Sequence, residues 1–198
     1  MLRLALLIVS GVLVVDQVSK FLVKLGMHYN ESIPVLGNWF YIHFIENPGM
    51  AFGMEFGGST GKILLTLFRL FAIIGIGYYL FTKAKKIKSK GFIIALSLIL
   101  AGALGNLIDS LFYGVIFSAS TSFQIAQFMP DGGGYGSFLQ GKVVDMLYFP
   151  MIEGNWPDWV PGLGGDYFIF FRPIFNIADT AISVGVGMLL FFQKRYLN

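Results

Sequence analysis

Two aspartates in the second half of the chain sit where carboxylates are hard to keep. Asp145, in GKVVDMLYFP, is flanked by Val143, Val144, Met146 and Leu147, and Asp179 lies near the start of the apolar run FNIADTAISVGVGMLLFF, residues Phe175 to Phe192. That run is about 27 Å long as a helix. An aspartate at the centre of a membrane helix costs about 2.5 to 3.5 kcal/mol on insertion scales, and a place near the helix end lowers the cost without removing it. If two such carboxylates approach within a few ångströms they cannot both ionise, so one pKa rises and the pair holds a single proton. One member then activates water while the other protonates the leaving group, which is the chemistry of aspartic peptidases. Spacing in the sequence does not establish the approach, but both positions are tethered to the same end of one apolar span.

Other polar residues in apolar surroundings carry plainer explanations. Asp16 and Lys20 are four apart with the acid N-terminal, the favourable order for a helical ion pair. Asp109, in GALGNLIDSLFYG, falls near the C-terminal end of a helix, where the dipole repels a carboxylate, so it requires a compensating donor. Asn106 is one turn earlier on the same face, and Gly102, Ala103 and Gly105 let another helix approach closely, which gives this segment a packing and hydrogen-bonding role. Asn176 is a good N-cap, and Asp179 three residues later gains from the dipole of the first turn whatever else it does.

The elements that must position these residues are set by composition. The 198 residues are 56% hydrophobic and 13% charged, with a mean hydropathy of +0.71, which marks a membrane protein. There is no cysteine, so disulfides, thiolate metal sites and thiol nucleophiles are excluded. Hydropathy gives four spans, at about residues 2–25, 63–81, 91–113 and 175–192, joined by outer segments at about 26–61 and 114–174. The first carries Asp16, Lys20 and Lys24 and no cleavage site follows it, so it reads as a retained helix. KAKKIKSK lies between spans two and three, Arg3 precedes the first and Lys194 and Arg195 follow the fourth, so both termini are expected to be cytoplasmic. The outer segments are rich in aromatics, glycine and proline, a mixture suited to strands and interfacial belts. DGGGYG, Asp131 to Gly136, lacks P-loop spacing and reads as a flexible turn. The expected fold is membrane α-helical, four transmembrane helices with an extracytoplasmic, partly β surface subdomain, forming a single domain over residues 1–198.

DQVSK (Asp16 to Lys20), ENPGMAFG (Glu46 to Gly53), GNLID (Gly105 to Asp109), VVDM (Val143 to Met146) and FNIADTAI (Phe175 to Ile182) occur in an order that resembles the motif set of lipoprotein signal peptidase, signal peptidase II. The resemblance extends over most of the chain. It implies a four-helix bacterial inner-membrane aspartyl endopeptidase that cuts a prolipoprotein immediately before its diacylglyceryl-modified cysteine, with the active site on the extracytoplasmic side. Asp145 and Asp179 match the catalytic dyad. Asn47 and Asn176 match positions near the substrate and the dyad, and Asp16, Lys20, Asn106 and Asp109 match a supporting shell. An amide suits such work because it donates and accepts without adding charge. Two departures stand out: Ser110 replaces the arginine usual after the GNLID aspartate, and the outer segments 117–141 and 151–172 are longer than in typical members. Arg172, in FFRPIFNIAD, is the candidate to supply the missing guanidinium, with snorkelling to lipid headgroups as its plainer role.

The implied partners are lipid-modified prolipoproteins and membrane lipids, with no nucleic acid and no obligate protein partner. No cofactor is expected, and no metal, because His28 and His43 are isolated histidines in an outer segment. Met50 and Met54 are read as contacts for lipid or a substrate acyl chain. Intramembrane acids and lysines also build proton relays, so a proton-coupled small membrane carrier is the alternative, although no pair of broken helices supports it. A non-catalytic lipid-binding scaffold accounts for the aromatic loops but not for two acids in apolar contexts.

Overall fold

The computed structural model describes residues 1–48 and 58–197. Helix α1 (Leu2–Gly26) leads into a hairpin of β1 (Ser32–Leu36) and β2 (Phe40–Asn47), and α2 (Gly58–Lys83) returns. The lysine-rich turn ends at Ser89, whose hydroxyl accepts from the Phe92 amide and caps α3 (Lys90–Ile108). The chain continues through a π-helical turn, Asp109–Tyr113, and the short α4 (Gly114–Ile116), then β3 (Val143–Tyr148), β4 (Ile152–Asn155), β5 (Tyr167–Phe170), β6 (Ile174–Phe175) and α5 (Ile177–Leu197).

Three helical stretches, Leu2–Gly26, Thr66–Lys83 and Lys90–Ile116, are long and apolar enough to cross a bilayer among the described residues, and the apolar part of α5, Ile177–Phe192, is shorter. The helices are arranged inside out relative to a water-soluble bundle. Leu7, Val14 and Leu22 of α1 and Phe68, Phe71 and Phe81 of α2 are exposed, while α3 buries residues on all sides, including Ser97, Gly102 and Asn106. Helix α3 is therefore central, with α5 and α1 packed directly on it and α2 beside it. Two glycines of α3 permit the closest approaches between helices. A Cβ at Gly102 would stand 2.2 Å from the Ala178 carbonyl oxygen, and one at Gly105 2.6 Å from Asp16 Oδ2.

The outer segments form a four-stranded antiparallel sheet in the order β1-β2-β3-β6, with β4 and β5 as a separate hairpin. Two apolar clusters anchor the molecule. One joins Ala5, Ile73, Ile93, Leu100 and Leu107 between α1, α2 and α3. The other seats the sheet on the helix ends through Val23, Met27, Phe44, Phe117, Val144 and Met146.

Differences from the expected boundaries have local causes. Phe175, placed in the fourth span by hydropathy, is the last residue of β6, and the helix starts only after Asn176 caps it. Span two begins earlier, with α2 already helical at Gly58. DGGGYG begins as the expected turn at Asp131 and Gly132, but its second half is tied to the neighbouring backbone: Tyr135 N donates to Phe117 O at 2.9 Å and Gly136 N to Gly114 O at 2.8 Å. Gly134 lies so close that a Cβ would stand 2.1 Å from Gly114 O. Met50, Met54 and the part of ENPGMAFG after Pro48 lie outside the described residues.

Candidate active site

The sheet delivers one carboxylate and the helix it feeds delivers the other. In β3, side chains alternate in direction, so Val144 and Met146 enter the apolar cluster while Asp145 faces the opposite side. Strand β3 pairs with β6 in the register Leu147↔Phe175, and two residues further on that antiparallel register sets Asp145 against Ile177, the first residue of α5. Asn176 and Asp179 are thereby brought to Asp145 by backbone pairing. On the other edge Ile45 opposes Asp145, so Asn47 is its diagonal neighbour on the same face.

The first turn of α5 is a reciprocal cap. Asp179 N donates to Asn176 Oδ1 at 2.8 Å and Asn176 N to Asp179 Oδ2 at 3.3 Å. Ala178 N, another of the unpaired amides of a helix start, donates to Asp16 Oδ1 at 2.8 Å, which ties α5 to α1. Asn176 Nδ2 donates to Asp145 Oδ1 at 2.7 Å and to Asn106 Oδ1 at 3.1 Å. Asn47 Nδ2 donates to Asp145 Oδ2 at 3.1 Å, and Asn106 Nδ2 to Asp179 Oδ1 at 2.8 Å. Two amides thus join the carboxylates on one side while Asn47 closes the other.

Behind them lies a charged layer. Lys20 Nζ contacts Asp16 at 2.9 Å and Asp109 at 2.8 Å, all three side chains fully buried, and donates to Asn106 Oδ1 at 3.0 Å. The helical ion pair between Asp16 and Lys20 is present. The compensation required at Asp109 comes from three donors: Lys20, Gln17 Nε2 at 3.0 Å and the Val144 amide at 3.3 Å. Gln17 in turn accepts from the Tyr113 hydroxyl at 3.2 Å.

The dyad is asymmetric. Asp145 is 1% exposed, whereas Asp179 is half-buried. Burial first, and then the negative charge of Asp179, push the Asp145 carboxyl up to about 7, against the opposing hydrogen bonds from Asn47 and Asn176. At neutral pH Asp145 therefore retains a proton for a large part of the time.

Asp16, Lys20, Asn47, Asn106, Asp109, Asp145, Asn176 and Asp179 are gathered in one place. Arg172 is not among them: it is exposed in the turn between β5 and β6, within electrostatic reach of the Tyr167 hydroxyl. Ser110 is buried, its hydroxyl donating to Asn106 O at 2.9 Å. Sequence reasoning missed a second ion cluster next to the site. Glu46 accepts from buried Lys24 and, at 3.1 Å, from Lys142, with Ser120 bonded to both Lys24 and Glu46 and Tyr135 facing both ammonium groups. Although burial opposes ionisation, Lys24 and Lys142 hold Glu46 below the usual carboxylate range. It also missed Arg69, the single charged residue in the apolar run Ile63–Phe81, whose position was itself the signal.

Helices long and apolar enough to cross a bilayer, with two hydrogen-bonded, unequal aspartates where a strand and a helix start meet, form the kind of arrangement that aspartic hydrolysis in a membrane requires. The family pattern described as Signal peptidase (SPase) II matches residues 8–194, so the chain belongs to the signal peptidase II family. It is 51% identical over 190 residues to a lipoprotein signal peptidase of Porphyromonas gingivalis, covering 94% of this chain and 80% of the relative. A lipoprotein signal peptidase of Amoebophilus asiaticus is 40% identical over 188 residues, covering 93% and 75%. Among solved structures, a bacterial membrane enzyme determined by the in meso method at 2.3 Å superposes with a TM-score of 0.64 at 25% identity, over 96% of this chain and 87% of that one. The chain is a multi-pass bacterial membrane protein and an aspartic peptidase of this family.

Proposed function

We propose that the chain removes the signal peptide of prolipoproteins by cutting before the diacylglyceryl-modified cysteine, with Asp145 and Asp179 as the catalytic residues. The observation that carries this reading is the bridged, asymmetric dyad: Asn176 bonds both carboxylates, and Asp145 is buried and pushed up to about 7. The half-buried Asp179 is the base and Asp145 the acid. Asp179 takes a proton from a water as its oxygen bonds to the scissile carbonyl carbon, and Asp145 gives its proton to the carbonyl oxygen. In the resulting diol, Asp179 passes its proton to the peptide nitrogen as the C–N bond breaks, and one diol hydroxyl returns a proton to Asp145. Both residues end as they began. Asn47, Asn106 and Asn176 fix the two carboxylates, and Asp16, Lys20 and Asp109 brace the amides from behind.

Four membrane spans, cytoplasmic termini and an extracytoplasmic dyad complete the proposal. Its support is the lysine-rich turn at the end of the helices away from the sheet and the dyad at the end beside it. Membership in a peptidase family leaves the carrier alternative without support. The test is incubation of the detergent-solubilised protein with a lipid-modified prolipoprotein. A new N-terminus at the lipidated cysteine is the expected product, and its absence with a folded enzyme overturns the reading.

A further inference from the structure

Helix α2 brings a cation, Arg69, to the side of the bundle on which the site lies. Helix α2 buries a single stripe, in which Thr66, Ile73 and Leu80 recur at intervals of seven and Ile76 packs beside them. Arg69 lies in this stripe, three residues after Thr66 and four before Ile73. It is half-buried, whereas its neighbours Leu67, Phe68, Leu70 and Phe71 are exposed. Its side chain is therefore on the bundle side of the helix. Ile73 belongs to the same cluster as Leu100 and Leu107 of α3. Because α2 and α3 run in opposite directions, moving back along α2 from Ile73 leads forward along α3, towards Asn106 and then Asp109. The charges acting on the Arg69 guanidinium are Asp179, Asp109 and Asp145, in that order.

Charge balance sharpens the point. Four carboxylates meet here: Asp16 from α1, Asp109 from the π-helical turn, Asp145 from β3 and Asp179 from α5. Lys20 contacts Asp16 and Asp109 and reaches the dyad only through the Asn106 amide. On the sheet side, Lys24 and Lys142 are engaged by Glu46. Ser110 has no charge to offer, and Arg172 stands apart. A cation on the bundle-facing stripe of an otherwise apolar helix has a desolvation cost that these acids offset.

Resting on the proposed peptidase reaction, we propose that Arg69 is the guanidinium of this active centre: a positioning residue that counterbalances the Asp145–Asp179 dyad from α2, standing in for the arginine that the family resemblance leads one to expect at Ser110. Arginine retains its charge in an apolar setting, where a lysine would lose it more readily, and its planar fork can engage two acceptors at once. A carboxyl pair facing a cation gives up each of its protons at lower pH than one without it.

The experiment follows cleavage of a lipid-modified prolipoprotein across pH by wild type, Arg69→Met, Arg69→Lys and Arg69→Met with Ser110→Arg, each checked for folding by thermal melting. Arg69→Met is expected to lower turnover at pH 7 at least tenfold and to move the acid limb of the profile to higher pH. Arg69→Lys should return the limb towards its original position, and Ser110→Arg in the Arg69→Met background should recover activity at least threefold. Near wild-type turnover with an unmoved limb in Arg69→Met overturns the proposal. So does a loss of activity with an unmoved limb that neither Arg69→Lys nor Ser110→Arg recovers, since that is the signature of packing alone. A wild-type enzyme that makes no cut at the lipidated cysteine instead overturns the function on which the proposal rests.

Discussion

Asp145→Asn should abolish cleavage and at the same time stabilise the folded protein above neutral pH. The Asp145 carboxyl is raised from its ordinary 3.8 to about 7. At 1.36 kcal/mol for each pH unit, holding the ionised form in this site costs about 4 kcal/mol, and with the residue 1% exposed, solvent screening offers little discount. The sign follows from linkage: between about pH 4 and pH 7 the folded state retains a proton that the unfolded chain has lost, so wild-type stability falls as pH rises and levels off above 7. The new amide is isosteric and carries no charge. Its oxygen can keep the 2.7 Å bond from Asn176, and its nitrogen meets Asn47, whose own amide can turn to accept. The variant should therefore melt like wild type near pH 4 and progressively above it towards pH 8, by of order 10 °C for a chain of this length. Thermal melting of both proteins in detergent from pH 4 to pH 8, alongside the cleavage assay, gives the measurement. A melting difference that is constant with pH, or that opens towards acid, refutes the assignment of Asp145 as the buried, proton-holding member of the pair.

Asp179→Asn should also abolish cleavage, and the double variant should be little worse than either single one, because the carboxylates act as a unit; a single variant with near wild-type turnover removes the dyad. The wild-type rate should follow a bell-shaped pH profile whose two apparent pKa values belong to the pair, and a profile flat from pH 4 to pH 9 contradicts this. Glu46 is held below the usual carboxylate range, so its contribution to stability is present above about pH 4.3 and is lost as pH falls through its lowered value. Glu46→Gln should therefore cost stability at pH 7 and very little at pH 3, and equal losses at both show that its charge is immaterial. Gly102→Ala should destabilise by at least about 1 to 3 kcal/mol, since its Cβ would stand 2.2 Å from the Ala178 carbonyl and force α5 off α3; unchanged melting and turnover mean that the helices adjust freely.

Hydropathy located the long helices because a bilayer imposes its signature on long stretches of neighbouring residues, although only three of them are long and apolar enough to cross a bilayer among the described residues; the cap at Asn176 was legible because its partner Asp179 is three positions away. Asp145 and Asp179 stood out as two acids in apolar contexts, but their approach was not legible, because it depends on β6 pairing with β3 from the far side of the β4–β5 hairpin. Distance along the chain also hid the Glu46 cluster: Lys24 comes from the last turn of α1 and Lys142 from the residue before β3, and neither has a pattern that names its partner. The anchoring of the second half of DGGGYG was hidden for another reason. Glycine signals either freedom or close contact, and here Gly134 is small because backbone lies against it. Arg172 drew attention by standing near Asp179 in sequence, yet a strand and its turn hold it outside, while Arg69, more than a hundred residues from Asp179, is on a face turned towards it.

The placing of neutral amides between the lysine and the dyad has its own logic. Lys20 sits fully buried against Asp16 and Asp109, each of which is also held by further donors, so the cation is largely compensated where it stands. Its link to the dyad passes through Asn106, which accepts from Lys20 on Oδ1 and donates from Nδ2 to Asp179. Had the ammonium touched Asp145 directly, the Coulomb attraction would have driven that carboxyl down and left two anions side by side, with no proton to give to a carbonyl oxygen. Lys20 instead acts on Asp145 more weakly than burial, Asp179, Asn47 and Asn176 do. Asparagine transmits position without transmitting a full charge, so the frame can be rigid and ionic while the pair it holds keeps one proton between two oxygens.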